Sequence, residues 1–309
     1  MSRSPAHPFD VNGRTVFITG AARGIGAAAA ERLHAKGANV ALVGLEPELL
    51  EENAARLGDR ATHFEADVSD FDALERAVAH TVERFGAIDV AIANAGLSFT
   101  GTLATSPIEQ VERTLEVNLL GVWRTDRAVI EQITQRRGYL LNVASLSAVT
   151  HTALMGPYTT AKSGVEALSD ALRMETAPSG ARVGCAYFGF IDTDLVRAAY
   201  AQPSTELLNR QSPAFVRNPA PLSSAIDAIE RGIERRSGRV WAPRWIGAAI
   251  ALRGVLQPLI ERRVERSSAE LVEAMRLADP ASMQGAEVDP QLGISAQALT
   301  PRERTPISR

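Results

Sequence analysis

The run Thr15-Val16-Phe17-Ile18-Thr19 passes directly into Gly20-Ala21-Ala22-Arg23-Gly24-Ile25-Gly26, and an alanine-rich stretch to about Lys36 follows. Few folds accept that order. A short apolar, β-branched run reads as a buried parallel strand. The glycines allow a tight turn with the backbone open on one side, and the residues after them favour a helix. Strand, glycine-rich turn and helix in succession is the context a dinucleotide pyrophosphate requires, because backbone N–H groups and a helix N-terminus both favour an anion. Gly20, Arg23, Gly24, Ile25 and Gly26 are therefore candidate cofactor contacts.

The same alternation continues along the chain. Strands are predicted at 39–43, 61–65, 87–93, 139–143, 182–186 and 239–242, with helices at 48–57, 72–85, 110–136 and 158–177 between them. This pattern specifies an α/β fold built on one doubly wound parallel sheet of the Rossmann type, about seven strands with helices on both faces. Ligands bind such sheets at the C-terminal ends of the strands. Asp67 and Val68 follow the third strand, and Asn94-Ala95-Gly96 follows the fourth. The second strand ends at Gly44, where an acid usually holds an adenosine ribose, and Glu46 lies two residues on. A glycine there neither binds a 2′-hydroxyl nor repels a 2′-phosphate, and Arg23 could pair with such a phosphate. The sequence therefore favours NADP(H) over NAD(H), with Glu46 in the acid's part as the alternative.

The domain organisation expected is a tail at 1–10, one dinucleotide-binding and catalytic domain at 11–243, an apolar helical extension at 244–278, and a Pro-, Ser- and Gln-rich tail at 279–309 of disordered composition. The net charge of -3 gives no electrostatic footprint for nucleic acid. Cys185 is the single cysteine, so neither a disulfide framework nor a cysteine metal cluster can form. Residues 1–10 lack the apolar core of a secretory signal, and the expectation is a soluble cytoplasmic protein without a metal.

Tyr158 and Lys162 are four apart on a predicted helix and so share a face. A free phenol titrates near pH 10, too high for proton transfer at neutrality, and a nearby ammonium favours the phenolate. Ser145 ends the fifth strand thirteen residues before Tyr158, and Asn118 lies within a long helix.

Together these stretches resemble the short-chain dehydrogenase/reductase family, in the branch with a TGxxxGxG turn and a YxxxK pair. Thr19 to Gly26 matches the turn, Asp67-Val68 the adenine-contacting Asp, and Asn94-Ala95-Gly96 the NAG motif, with Ala93 where a first Asn is common. Asn118, Ser145, Tyr158 and Lys162 match the catalytic tetrad, and Thr193 the Thr that holds the nicotinamide carboxamide, with Gly189 and Ile191 just before it. The resemblance covers about Phe9 to Pro243. It implies an NAD(P)(H)-dependent interconversion of a secondary alcohol and a ketone. Tyr158 would be the acid or base, and Lys162 would tune it and hold the nicotinamide ribose. Ser145 would donate to the substrate oxygen, and Asn118 would bind a water linking Lys162 to solvent. A homodimer or homotetramer is implied as well. The alternative is a non-catalytic NADP-binding redox sensor or a scaffold subunit. Where the family usually has Pro-Gly, this chain has Phe188-Gly189, which would place an aromatic ring near the nicotinamide.

The residues flanking the motifs are mostly apolar. Leu97, Phe99, Leu146, Leu154, Met155, Phe188, Phe190 and Leu195, with His151 at the rim, are the expected pocket. They suggest a lipophilic small-molecule alcohol or ketone. Residues 245–260 are apolar but interrupted by Arg253, Gly254 and Pro258, so they do not read as a transmembrane span. The first reading is a helix packed on the domain or on another subunit, and the second is a peripheral membrane contact. Ser267-Ser268-Ala269-Glu270 fits a capping box opening a last helix to about Leu277.

Overall fold

A computed structural model describes residues 8–210, 217–266 and 268–278. Residues 1–7 of the tail expected at 1–10, the tail at 279–309, and the first residue of the capping box lie outside them. The seven strands are β1 (Thr15–Thr19), β2 (Asn39–Gly44), β3 (Ala61–Glu65), β4 (Val90–Ala93), β5 (Tyr139–Val143), β6 (Arg182–Phe188) and β7 (Arg239–Ala242). They form one sheet in the order β3-β2-β1-β4-β5-β6-β7, and every pairing is parallel. The order reverses between β1 and β4, which is where such a sheet opens a crevice.

Helices α1 (Gly24–Ala35), α2 (Pro47–Leu57), α3 (Phe71–Phe85), α4 (Ile108–Leu115), α5 (Gly121–Gln135) and α6 (Gly156–Thr176) follow the strands in turn. Beyond β6 come α7 (Asp194–Tyr200), α8 (Pro203–Arg210), α9 (Leu222–Arg235), α10 (Ile246–Arg266) and α11 (Ser268–Leu277). The strands alternate side chains between two cores, as their pleat demands. Val16 and Ile18 face α1 and α9, whereas Phe17 faces α3 and α5. In β6, Cys185 and Tyr187 point toward α6, and Ala186 and Phe188 point the other way.

The sequence did not predict α7, α8 and α9, and β6 runs on to Phe188 rather than ending at 186; two further differences concern β4 and Asn118. The fourth strand starts at Val90 rather than 87, because its neighbours β1 and β5 first pair with it there, through Val16 and Tyr139. The predicted helix over 110–136 contains a π-turn, Glu116–Leu120, which carries Asn118 between α4 and α5. Such turns displace one residue from the helical register and recur at functional sites.

The extension is two helices. Near its start α10 buries Ile246 and Ala249, and Arg253 reaches Glu166 of α6 with Nη1 3.0 Å from both carboxylate oxygens. Gln257 binds the His151 backbone at both ends: its Oε1 accepts from the His151 N–H at 2.8 Å, and its Nε2 donates to the carbonyl at 3.3 Å. Helix α11 lies on α8, with Ala274 and Ala278 packed over Leu154 and Leu207.

Candidate active site

The C-terminal strand ends converge on a cleft lined from Gly20 and Arg23 through Glu46, Asp67 and Asn94 to Thr193. Its floor is the glycine-rich turn. Gly20 and Gly24 have φ of 65° and 59°, the left-handed region. A Cβ on Gly26 would lie 2.2 Å from the Gly20 carbonyl oxygen, and one on Gly20 would lie 2.8 Å from Ala95 Cα. The backbone is thus packed to a closeness that only glycine allows. Arg23 precedes α1 in extended conformation and gives it no side-chain cap, so the first-turn N–H groups meet no capping side chain. A dinucleotide pyrophosphate fits this cradle in shape and charge.

The neighbouring residues hold the cradle in place. Asn94 Nδ2 donates to the Thr19 and Gly20 carbonyls at 3.1 Å each, and Thr19 Oγ1 accepts from Asn94 N–H at 3.1 Å. Asn94, expected as a cofactor contact, spends its side-chain amide on tying β4 to the turn. Asp67 accepts from Ser69 N–H at 2.9 Å and from Arg113 at 3.1 Å. Burial works against its ionisation, but Ser69 and Arg113 outweigh it and its pKa is lowered. The carboxylate is therefore fixed at the mouth of the cleft, beside Val68. Arg113 was absent from the sequence reading, since nothing local marks a residue on α4 as the partner of one after β3. Arg23 Nη2 lies 3.3 Å from Glu46 Oε1, so the arginine that the sequence reserves for a 2′-phosphate is already paired with a carboxylate.

The structure brings the four tetrad residues to the adjacent strand ends. Lys162 is 3% exposed, donates from Nζ to the Val143 carbonyl at 2.8 Å, and sits 5.8 Å from the Tyr158 ring centroid. Burial pushes its ammonium down to about 8. Burial also raises the Tyr158 phenol, and a hydrogen bond with Ser145 offsets only part of this. The sequence expectation was a lowered phenol. Desolvation of a half-buried ring wins instead, so the resting Tyr158 is a neutral phenol at physiological pH. Ser145 caps the short 3₁₀ turn Leu146–Ala148, accepting from Ser147 N–H at 3.1 Å. Asn118 is fully buried, and its side chain clamps the Leu97 backbone: Oδ1 accepts from N–H at 3.0 Å and Nδ2 donates to the carbonyl at 2.9 Å. A Cβ on Gly96 would lie 2.7 Å from Asn118 Oδ1 and 3.6 Å from Lys162 Nζ. The π-turn therefore holds the Gly96 backbone over Lys162. Thr193 caps α7 through Val196 N–H at 3.4 Å and lies at the far end of the cleft. Gly189 is held by its N–H to Ala242 at 2.9 Å, and Ile191 is 2% exposed.

The expected pocket residues separate into two groups. Leu97 and Leu195 line the cleft, and Leu146 and Met155 lie within the segment between Ser145 and Tyr158. Leu154 is buried in that segment at φ 64°, a conformation rare for a branched side chain, with its carbonyl bound by Gly101 N–H. Phe190 meets the Tyr200 ring of α7 at a tilt of 57°, with centroids 5.3 Å apart. Phe188 departs from expectation. Its side chain is 4% exposed and packs in the core beneath α1 and α9, and only its carbonyl approaches Ser145 Oγ, at 3.5 Å. Its parity in β6 matches Ala186, which points to that core. His151 is exposed, with Nε2 3.5 Å from Ser163 Oγ, and its backbone is the docking point for Gln257. Among the described residues no cluster of metal-ligating side chains occurs.

A family model described as short chain dehydrogenase matches residues 14–204. The chain is 35% identical over 198 residues to a 2-(R)-hydroxypropyl-CoM dehydrogenase of Xanthobacter autotrophicus, covering 62% of this chain and 79% of that protein. It is 28% identical over 218 residues to a 3-oxoacyl-acyl-carrier-protein reductase of Vibrio cholerae, covering 70% and 89%. In fold it is similar to a short chain dehydrogenase/reductase from Burkholderia phymatum solved in complex with NAD, with a TM-score of 0.71 and 23% identity over 80% of this chain and 94% of that one.

Proposed function

The chain belongs to the short-chain dehydrogenase/reductase family, and from that premise we propose that it is a nicotinamide-dependent oxidoreductase interconverting a secondary alcohol and a ketone on a lipophilic small molecule. The observation that carries this reading is the meeting of Ser145, Tyr158 and buried Lys162 beside a cradle that only glycine can form.

The nicotinamide, when bound, supplies or accepts the hydride. Everything else falls to the protein. Gly20, Gly24 and Gly26, with the α1 N-terminus, bind the pyrophosphate, and Asp67 holds the adenosine end. Lys162 and Thr193 hold the nicotinamide end. In ketone reduction, Tyr158 gives its phenolic proton to the substrate oxygen as charge develops there. Ser145 donates a hydrogen bond to the same oxygen. Lys162, ammonium below about pH 8, stabilises the phenolate left behind. In alcohol oxidation the same groups run in reverse, and Tyr158 must then begin as phenolate. With the phenol raised by burial, the resting protein is loaded for reduction. The expected pH profile of ketone reduction is a plateau at neutrality and a fall with its midpoint near 8, as Lys162 loses its proton. Lys162→Ala should remove that inflection, and initial rates across pH read it directly.

The cofactor reading moves with the structure. The ground for NADP(H) was Gly44 in the acid's place, with Arg23 free to pair with a 2′-phosphate. Its pairing with Glu46 means that a 2′-phosphate must displace a carboxylate and then sit beside it, a like-charge cost, whereas ribose hydroxyls can donate to Glu46. We therefore favour NAD(H). Glu46→Ala should release Arg23 and raise the NADPH-to-NADH affinity ratio by roughly tenfold, measured by fluorescence titration of each cofactor.

The mostly apolar residues around the Ser145–Tyr158 segment support a lipophilic substrate. Reduced-nicotinamide consumption with a sterol ketone, a fatty ketone and a polar keto acid tests this. Turnover of either lipophilic ketone is expected, and preference for the keto acid refutes the substrate class.

A further inference from the structure

Helix α10 is apolar on both sides: Ile246, Ala249 and Ile250 pack inward, yet a second apolar stripe points outward. At about 100° per residue, its polar residues Arg253 and Gln257 lie on the side facing the body, held by Glu166 and His151. Its opposite side carries Leu252, Val255 and Leu259, which are 55%, 63% and 52% exposed. Ala248, Ala251 and Pro258 are exposed as well, so three successive turns, about 17 Å of helix, present apolar side chains outward. No Asp or Glu occurs between Ile246 and Ile260. At the end of this stripe come exposed Arg262, Arg263 and Arg266, with Glu261 and Glu265 on the flank. The helix cannot roll to hide the stripe, because its inward side is pinned by an ion pair and by two hydrogen bonds to the backbone.

We propose that the outward face of α10 is a docking surface for an anionic phospholipid bilayer, on which the protein lies without crossing it. No helix among the described residues is long and apolar enough to span a membrane. A narrow apolar stripe ending in a basic turn suits the interface between acyl chains and anionic headgroups. A second copy of the chain suits it less well. Three large side chains fall short of the roughly 800 Å² per partner that a stable protein interface buries, and the stripe offers no acid to meet the arginines. The placement also has a consequence that rests on the oxidoreductase reading. Through Gln257 on His151 and α11 over Leu154, α10 and α11 are fixed to the segment between Ser145 and Tyr158, so docking would hold the substrate side of the site close to lipid.

The test is sedimentation of the full-length protein with vesicles of phosphatidylcholine alone and of phosphatidylcholine with phosphatidylglycerol. The wild type should pellet with the anionic vesicles, stay in solution with the neutral ones, and be released by high salt. The Leu252→Ser/Val255→Ser/Leu259→Ser variant should lose binding. Arg262→Glu/Arg266→Glu should weaken it by at least about twentyfold, taking about fivefold for each arginine removed. Both variants should keep wild-type cofactor affinity and melting temperature, which shows that they are folded whether or not any substrate is turned over. The proposal is overturned if the wild type ignores anionic vesicles, if neutral and anionic vesicles bind alike, or if the serine variant binds undiminished. Loss of a wild-type oligomer in the serine variant, read by light scattering, with no vesicle binding by the wild type, assigns the stripe to a second copy instead.

Discussion

Tyr158→Phe is expected to lower turnover by about 10²- to 10⁴-fold, the range that a positioned acid contributes, with cofactor affinity nearly unchanged. The substitution removes one oxygen from a half-buried ring and leaves the rest of the side chain where it packs. Lys162 keeps its bond to the Val143 carbonyl and so keeps its place. Ser145 loses the phenol as a partner but retains Ser147 N–H. The variant should therefore fold, bind reduced nicotinamide, and fail only at proton delivery. Steady-state rates paired with a cofactor titration read both halves. If turnover survives, the proton comes from elsewhere and the assignment of Tyr158 is wrong. If cofactor affinity collapses as well, the phenol holds the cofactor more than it serves the reaction.

Gly26→Ala is the second large effect, and it acts on binding. The new methyl would sit 2.2 Å from the Gly20 carbonyl oxygen and 2.8 Å from Asn94 Nδ2. The first of these atoms is backbone, so it cannot swing aside as a side-chain tip can. The turn must open, and the Asn94 bonds that hold it to β4 must lengthen. Overpacking of this kind costs about 1–3 kcal/mol, and a shift of that size in the cradle corresponds to a loss of cofactor affinity of roughly 5- to 150-fold. Gly13→Ala is the control. Its φ is 70° but no atom lies within 4 Å of the added methyl, so it should lower the melting temperature modestly and leave cofactor affinity alone. Equal cofactor affinity in wild type and Gly26→Ala would mean that the turn is not where the pyrophosphate rests.

Much of the architecture can be read along the chain because each βα unit is local. A short apolar strand, a glycine turn and an amphipathic helix can be recognised within thirty residues, and parallel pairing follows from the alternation. Tyr158 and Lys162 are legible for the same reason, since four residues on a helix fix their common face. The misses share a different origin. The π-turn at Asn118 inserts one residue of register that helical periodicity does not reveal over so short a span. Phe188 was read as following the sixth strand; as the last residue of that strand it takes the parity of Ala186 and falls into the core. The pairing of Arg23 with Glu46 joins two strand ends that only the sheet brings together. The extension was the least legible part. An apolar stretch normally buries its apolar side, and here the inward side takes Arg253 and Gln257 beside Ile246 and Ala249, which leaves Leu252, Val255 and Leu259 outside.

The account stands most directly on where the hydride goes. A ketone turned over with cofactor deuterated at the transferring nicotinamide carbon should give an alcohol carrying deuterium at the carbinol carbon, identified by mass spectrometry, at a rate that Tyr158→Phe lowers by about 10²- to 10⁴-fold. Alcohol formed without deuterium, or formed equally well by Tyr158→Phe, would contradict hydride transfer at a site where Tyr158 supplies the proton.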